Sequence, residues 1–373
     1  MMTILLIVTL IMAVTVYAYL KQPQFGQSPS GTELERLKQS SFYHDEGFRN
    51  LAATPQLTGG SHPFVTIAKF LLGTDADAIP RVPLPSIKTD LHALDKNQSL
   101  VIWMGHSSYF LQINGKRILI DPVFSASAAP VPGMNKAFDG SNIYTADDIP
   151  DIDYLLISHD HWDHLDYPTI MQLKAKINHI VSPLGVGSYF IQWGFDQQKI
   201  HEGDWFDTIQ LEQDLAIHVL PARHFSGRLL ERNKTLWASF ALFTPQHKLY
   251  ISGDSGYGPH FKEIGDRFGP FDLAILECGQ YNENWRYIHM MPEETAQAAQ
   301  DLNAAAVIPS HNSKFKLAHH TWYDPLKRLA TASENKAYRL LTPMIGQTVN
   351  MDGKQPPFPR WWETVARRPG NSK

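Results

Sequence analysis

Hydrophobic side chains run almost without a break through the first twenty residues, and none of residues 1–20 is charged. A helix of this length reaches roughly 30 Å at about 1.5 Å per residue, which is the thickness of the hydrocarbon core of a bilayer. The pattern predicts a transmembrane anchor over residues 1–20. The alternative is a cleaved signal peptide ending near Ala18. Lys21, Arg36 and Lys38 follow the segment and no basic residue precedes it, which favours a cytoplasmic catalytic domain over a periplasmic one.

The next segment, residues 21–95, is rich in Pro, Gly, Ser and Asp and shows little periodic hydrophobic pattern. Such composition is typical of connecting chain. We therefore expect a linker and an arm that wraps the following domain, which spans residues 96–373.

Short apolar, β-branched runs begin after this arm. Residues 109–113 and 117–120 flank Asn114-Gly115, which predicts a β-hairpin with a type I′ turn. The other predicted strands cover residues 100–103, 154–157, 217–220, 236–243, 248–251, 273–276 and 306–308. Helical patterns at residues 167–176 and 292–302 separate several of these runs. The alternation predicts an α/β fold.

Composition and charge exclude several classes of protein. With 43% apolar residues among 373, the chain can bury a large core. A formal net charge of −4 without a basic block argues against nucleic acid as a partner. The single cysteine, Cys278, permits neither an intrachain disulfide nor a zinc site built from several cysteines. With 17 histidines, a metal site would use imidazole and carboxylate ligands.

The strongest chemical signal is an HxHxDH motif directly after the predicted strand at residues 154–157. In an extended loop, His159 and His161 point the same way and can hold one metal ion. Asp163 and His164 follow and can hold a second. The motif therefore predicts a site for two metal ions.

Further donors follow the ends of other predicted strands, namely His224, Asp254 and His311. Open α/β sheets build their sites just beyond the carboxyl ends of strands. Any one of these residues alone would be assigned to the core or the surface, but together they predict one site with seven ligands.

On these motifs the chain resembles the metallo-β-lactamase superfamily, and within it the N-acyl phosphatidylethanolamine phospholipase D branch and its bacterial relatives. The closer resemblance lies in residues 103–106, 119–125, 159–166, 253–257 and 268–273. It implies a four-layer αβ/βα sandwich, two zinc ions and phosphodiester hydrolysis. By position, the resemblance assigns His159, His161 and His224 to the first zinc, Asp163, His164 and His311 to the second, and Asp254 to both.

Two zinc ions in such a site hold a bridging hydroxide, which attacks phosphoryl and carbonyl centres alike. The resemblance implies cleavage of N-acyl phosphatidylethanolamine or a related glycerophospholipid. An ester or lactone hydrolase, such as a sugar-phosphate lactonase, is the alternative. Two further readings are a non-catalytic membrane-tethered scaffold and a redox di-iron protein. The complete ligand set argues against the first, and the imidazole-rich motif against the second.

Residues around the metals complete the predicted site. His289 aligns with a histidine that the family places near the substrate, which makes it a catalytic candidate beside Asp254; helix capping before Pro292 is the alternative. His106, Asp160 and Asp166 are expected to support the metal ligands. Trp162 stands where the phospholipase usually has tyrosine. The candidates for substrate contact are Trp162, Arg228, Tyr281, Trp285 and Lys314.

Overall fold

The computed structural model describes residues 1–58, 77–131, 133–353 and 355–367. The N-terminal elements are α1 (Met2–Leu20), α2 (Gly31–Leu37) and a hairpin of β1 (Tyr43–His44) and β2 (Gly47–Phe48). Helix α1 is long and apolar enough to cross a membrane, and none of its residues is buried. By length and composition it is therefore a candidate span, and a signal sequence passes the same test.

The first of two seven-stranded sheets has the strand order β16-β3-β4-β5-β6-β7-β8. Its strands are β3 (Leu100–Trp103), β4 (Tyr109–Ile113), β5 (Lys116–Ile120), β6 (Ile152–Leu156), β7 (Ile177–Pro183), β8 (Ile200–Gly203) and β16 (Thr348–Asn350). Strands β5 to β8 are parallel, and the other pairs are antiparallel. Asn114 and Gly115 both have positive φ, 49° and 73°, which confirms the predicted type I′ hairpin.

The second sheet has the strand order β15-β14-β13-β12-β11-β10-β9. Its strands are β9 (Thr208–Glu212), β10 (Leu215–Leu220), β11 (Ser239–Phe243), β12 (Lys248–Ile251), β13 (Leu273–Glu277), β14 (Ala306–Ser310) and β15 (Arg339–Leu340). Strand β11 begins three residues later than predicted, because the amides of Leu236 and Ala238 instead donate to Leu184 and Ser158 of the first sheet's loops. These two hydrogen bonds connect the two sheets beside the HxHxDH motif.

Helices cover the outer face of each sheet. They are α3 (Tyr167–Leu173) and α4 (Gly187–Gln192) on the first sheet, α5 (His260–Phe268) and α6 (Pro292–Asp301) on the second, followed by α7 (Asp324–Ala332) and α8 (Trp361–Ala366). Side chains such as Trp103, Leu156, Phe240 and Ile308 fill the space between the sheets. The layers confirm the predicted αβ/βα sandwich.

The arm predicted over residues 21–95 is described on either side of residues 59–76, which lie outside the described residues. Its second part runs along the domain surface: the Leu84 amide donates to Asp139, the Ile87 amide donates to Ile345, and Leu91 is buried. Its first part carries Phe48, whose amide donates to the carbonyl of Asn233. The described parts therefore lie against the sandwich.

Candidate metal centre

Four strands of the two sheets end at one rim, and the seven predicted ligands lie just beyond those ends. The HxHxDH loop follows β6, while His224, Asp254 and His311 follow β10, β12 and β14. All these side chains except His161 and Asp163 are fully buried, and those two are half-buried. The sandwich thus brings together ligands that lie up to 152 residues apart in the sequence.

The first group of ligands is His159, His161 and His224. Nε2 of His159 lies 2.9 Å from Nδ1 of His161, and Nε2 of His224 lies 3.3 Å from the same Nδ1. All three side chains offer a ring nitrogen within 4.8 Å of the others. Three imidazoles that converge in this way can hold one metal ion.

The second group is Asp163, His164 and His311. Oδ2 of Asp163 lies 3.2 Å from Nε2 of His311 and 3.6 Å from Nε2 of His164. His106 joins this group, because its Nε2 lies 2.9 Å from the same carboxylate oxygen. A second metal ion fits among these donors.

Asp254 lies between the two groups. Its Oδ2 is 3.9 Å from Nε2 of His159 and 3.8 Å from Nε2 of His224. The same carboxylate is 3.2 Å from Nε2 of His164 and 3.1 Å from Nε2 of His311. One carboxylate can therefore contact both metal positions.

The unpaired atoms and the protonation of the site both fit bound cations. Nε2 of His164 and Oδ1 of Asp254 are buried and lie 3.2 Å apart, yet neither forms a hydrogen bond within the described residues. Burial lowers the pKa of His161 to about 4, so its imidazole is neutral and can donate a lone pair. Burial alone would raise the pKa of the Asp254 carboxyl, but His164 and His311 hold it well below its usual range. Although burial alone would lower both values, the neighbouring carboxylates raise the pKa of His311 to about 10 and that of His164 well above its usual range, so a divalent cation that binds here takes the place of protons on these two rings.

A buried carboxylate, Asp121, orients two of the ligands. Its Oδ2 accepts from Nδ1 of His164 at 2.8 Å and from the Ser158 hydroxyl at 2.6 Å. The Ser158 oxygen lies 3.0 Å from Nδ1 of His159. Both rings are thereby turned so that Nε2 faces the metal position.

Glu277 performs a similar task at the other side of the site. Its carboxylate contacts Nδ1 of His289 and lies 3.2 Å from Nδ1 of His311. Nδ1 of His224 donates to the carbonyl of Ile288 at 2.9 Å. His289 therefore lies beside two ligands, His224 and His311, with its own Nε2 free of the Glu277 contact.

The backbone is held in uncommon conformations around the predicted metal positions. His106, Asp121 and His311 have φ values of 55°, 41° and 62°, in the left-handed region that non-glycine residues seldom adopt. Gly253, before Asp254, has φ of 57°, and a Cβ there would lie 2.7 Å from the Ala238 carbonyl. Only glycine fits this approach of β12 to the neighbouring chain.

A cavity of about 510 Å³ opens onto the ligands. Its walls include His161, Asp163, His224, Asp254, His289 and His311, together with Leu57, Phe225, Arg232, Gln280, Trp285, Ile288 and Leu317. The predicted ligands make part of the wall polar, and Leu57, Phe225, Ile288 and Leu317 add apolar surface. Such a cavity suits a ligand with one charged group and an apolar body.

Comparison with known proteins agrees with this geometry. The family model for a beta-lactamase superfamily domain matches residues 116–312. An uncharacterized protein of Mycobacterium tuberculosis is 38% identical over 331 residues, which cover 87% of this chain and 88% of the relative. The chain belongs to the beta-lactamase superfamily.

Members of this superfamily with more specific names also match. The mitochondrial N-acyl-phosphatidylethanolamine-hydrolyzing phospholipase D of Saccharomyces cerevisiae is 33% identical over 263 residues, which cover 67% of this chain and 55% of the yeast protein. The solved structure of Igni18, a metallo hydrolase from Ignicoccus hospitalis, matches with a TM-score of 0.51 at 20% identity and covers 69% of this chain and 100% of that one. These matches show a metallo-hydrolase of the superfamily and are consistent with the phospholipase D-like branch.

Three residues were expected to support the metal ligands of this superfamily site. One of them does so, and the other two do not. His106 contacts the ligand Asp163 as expected. The Asp160 carboxylate instead accepts from Tyr189, Thr235 and the amide of Gly227. Asp166 accepts from Ser125 and Thr169. Neither carboxylate orients an imidazole, because hydroxyl and amide donors engage both of them instead.

Asp121 and Glu277 take that orienting role, and the sequence analysis assigned it to neither. Each directly follows or ends a predicted strand, at residues 117–120 and 273–276. The rule that located His224 and His311 at strand ends would have found both carboxylates as well.

Of the five candidates for substrate contact, the structure places only Trp285 in the metal cavity. Trp162 lines a neighbouring cavity, and Tyr281 is buried with its hydroxyl on Asp324. Lys314 is fully buried, and its Nζ donates to the Val123 carbonyl at 2.7 Å. Arg228 is also buried among backbone carbonyls. These placements correct the expected headgroup contacts of Lys314 and Arg228, because their donors are already used within the fold.

Proposed function

We propose that this metallo-hydrolase is a binuclear zinc phosphodiesterase that cleaves N-acyl phosphatidylethanolamine or a related glycerophospholipid in the manner of a phospholipase D. The observation that carries the proposal is the pair of ligand groups joined by Asp254 on the wall of a half-apolar cavity. The named yeast relative supports the choice of substrate class.

Zinc suits the donor set better than magnesium or calcium. Five of the seven ligands are imidazoles and two are carboxylates. Magnesium and calcium prefer oxygen ligands, whereas imidazole nitrogen is a usual ligand of zinc. When bound, two zinc ions supply an activated water and neutralise the charge that develops on the phosphoryl oxygens.

The cavity fits a phospholipid in two respects. Leu57, Phe225 and Ile288 offer apolar surface for the glycerolipid body. Arg232 lies at the mouth, with its guanidinium 4.9 Å from the centre of the Phe225 ring. As an exposed cation in the cavity wall, Arg232 would meet an anionic group of the substrate, in place of the buried candidates Arg228 and Lys314.

His289 is proposed as the residue that protonates the leaving alcohol. Attack of water at phosphorus breaks the bond to the leaving oxygen, which must gain a proton as the bond breaks. The Glu277 carboxylate accepts from Nδ1 of His289, whose ring lines the cavity. A His289 ring that carries protons on both nitrogens would give the Nε2 proton to the leaving oxygen and keep the Nδ1 proton on the side of Glu277. The products are a phosphatidate and an N-acylated ethanolamine.

We further propose that α1 anchors the protein in a membrane with the catalytic domain on the cytoplasmic side. The supporting observations are the uncharged segment and the basic residues that follow it. The partners are then the bilayer and a phospholipid within it, and nucleic acid is not among them.

Hydrolysis in oxygen-18 water tests the reaction. The purified full chain is incubated with N-acyl phosphatidylethanolamine in mixed micelles, and the products are analysed by mass spectrometry. We expect one label in the phosphate of the phosphatidate, and no reaction in Asp254→Ala. Label found only in a released carboxylate contradicts the proposal, as does turnover of a lactone far above that of any phosphodiester; both favour the ester or lactone hydrolase.

A further inference from the structure

We propose that two apolar loop tips beside α1 form a second membrane contact, which seats the catalytic domain on the bilayer that α1 crosses. The tips carry Val131 and Met134 on one loop and Leu229 and Leu230 on another. We name these four residues the docking face. The inference rests on the proposed membrane anchor and extends it from one helix to the surface of the domain.

The docking face exposes large apolar side chains to solvent. Leu230 is 97% exposed, Met134 52%, Leu229 42% and Val131 38%. Single exposed apolar residues are common on protein surfaces, whereas several of them grouped around one apolar helix mark an interaction site. The position of these loops indicates which partner covers them.

Both loops flank the last turn of α1. The Tyr19 hydroxyl donates to the carbonyl of Pro130 at 3.0 Å, next to Val131. Tyr17 and Leu20 line the same surface cavity as Leu229 and Leu230. The helix therefore leaves the domain between the two apolar tips.

The end of α1 also sets the level of the bilayer surface. Tyrosine is enriched where a membrane span meets water, and lysine reaches from that level toward the headgroups. Tyr17, Tyr19 and Lys21 occupy this part of the chain. Because both tips adjoin this part of α1, their apolar side chains would leave water on entering the interface, which is favourable.

The loop that carries Leu229 and Leu230 is held rigidly. The Asn233 amide donates to Ser226 across its base at 3.1 Å. The Arg228 guanidinium donates to the carbonyls of Asp160 at 2.6 Å and of Gln24 at 3.0 Å. The next residue, Leu229, has φ of 58°, which turns the chain outward. The exposed tip is thus a built feature and not a frayed end.

The same loop forms part of the metal cavity. Phe225 and Arg232, on either side of the tip, both line that cavity. Entry of the tip into the interface would therefore bring the mouth of the cavity to the lipid surface. A phospholipid would then reach the site with its acyl chains still near the bilayer.

Site-directed labelling of the full chain tests the docking face. Cys278 is buried, so a cysteine introduced at the surface is labelled selectively. Leu230→Cys and the control Leu211→Cys receive a polarity-sensitive fluorophore and are reconstituted into vesicles of phosphatidylcholine and phosphatidylglycerol. Leu211 is 38% exposed and lies next to the β9–β10 turn, at the end of the sheet opposite to the metals.

We expect the label at position 230 to shift its emission to shorter wavelength in vesicles and to be quenched by lipids with a nitroxide near the headgroup. The label at position 211 shows neither change. Sedimentation with vesicles without quenching at position 230 overturns the docking face alone. Absence of sedimentation overturns the anchor and the docking face together. A shift that grows with protein concentration in detergent, without vesicles, assigns the tips to a protein contact and also overturns the inference.

A second experiment separates failure of the docking face from failure of the proposed phosphodiesterase reaction. Leu230→Ser should lower turnover of substrate in vesicles severalfold and leave turnover of a short-chain, water-soluble phosphodiester unchanged. Equal turnover of both substrates by this variant and wild type contradicts the docking face. If the wild type does not hydrolyse the water-soluble phosphodiester, the phosphodiesterase proposal is contradicted. This holds for any result of the fluorescence labelling.

Discussion

The Glu277 carboxylate contacts Nδ1 of His289, and both residues lie beside the ligand His311. This contact fixes which nitrogen of His289 faces the cavity. We expect His289→Ala to lower kcat by about 10² with metal retained, and Glu277→Gln to lower it by about 10-fold to 100-fold. Steady-state kinetics with metal analysis measures both.

A double variant separates positioning from a general loss of structure. If Glu277 acts through His289, the double variant should be no slower than His289→Ala alone. If the losses in kcat of the two single variants instead multiply in the double variant, Glu277 acts chiefly through the ligand His311. Metal content equal to that of wild type in His289→Ala and Glu277→Gln shows that the ligands themselves stay in place.

The ligand assignment predicts the metal content of variants. Wild type should bind close to two metal ions, and both His161→Ala and Asp254→Ala should lose at least one of them together with activity. Asp254 contacts both groups, so its removal should have the larger effect. Elemental analysis after dialysis gives the stoichiometry. His92→Ala, at an exposed histidine, is the control, and full occupancy in both ligand variants would refute the assignment.

Arg228 is predicted to act on stability more than on substrate binding. Arg228→Met should lower the free energy of unfolding by about 3 kcal/mol, because three backbone carbonyls lose a buried charged donor. Arg267→Met, which breaks an exposed ion pair with Glu263, should cost under about 1 kcal/mol. Urea unfolding compares the two. A raised KM with unchanged stability in Arg228→Met would restore the headgroup role.

The anchor is tested by deletion of Met1 to Leu20. The shortened chain should move to the soluble fraction and keep hydrolysis of a water-soluble phosphodiester, since the segment contacts none of the metal ligands. Fractionation and activity assays measure this. N-terminal sequencing of the intact product is decisive for the alternative: a mature chain that begins at Tyr19 identifies a signal peptide and contradicts the cytoplasmic assignment.

His260 should contribute to the loss of stability in acid. Burial lowers its pKa to about 3, while the unfolded chain binds the proton near pH 6.5. Between these values the unfolded state holds more protons, so stability falls as the pH decreases, by up to about 1.4 kcal/mol per pH unit for this group. His260→Gln should show a shallower loss between pH 6 and pH 4 in urea titrations. His92→Gln should behave as wild type, and an unchanged slope in His260→Gln would contradict the prediction.

Local patterns in the sequence were enough to predict nine strands of the sandwich, the type I′ hairpin and the positions of seven donors. These features depend on residues close in the chain: alternating apolar runs, Asn114-Gly115, and the HxHxDH spacing. Strands β7, β8, β9, β15 and β16 escaped prediction. Four of them are short or largely exposed and carry little apolar pattern. In β7, the polar pair Asn178-His179 interrupts the apolar run. Their place is set by pairing with neighbours, not by their own composition.

The tertiary structure alone decided which charged groups serve the site and which serve the fold. Asp121 reaches Ser158 across 37 positions and Glu277 reaches His311 across 34, so no local spacing reveals either contact. Arg228 and Lys314 resemble ligand-binding cations in the sequence, yet both are enclosed by carbonyls that need their donors. A buried charged group needs hydrogen-bond partners. In this fold the partners come from strands that are distant in the sequence but that end at the same rim of the sandwich.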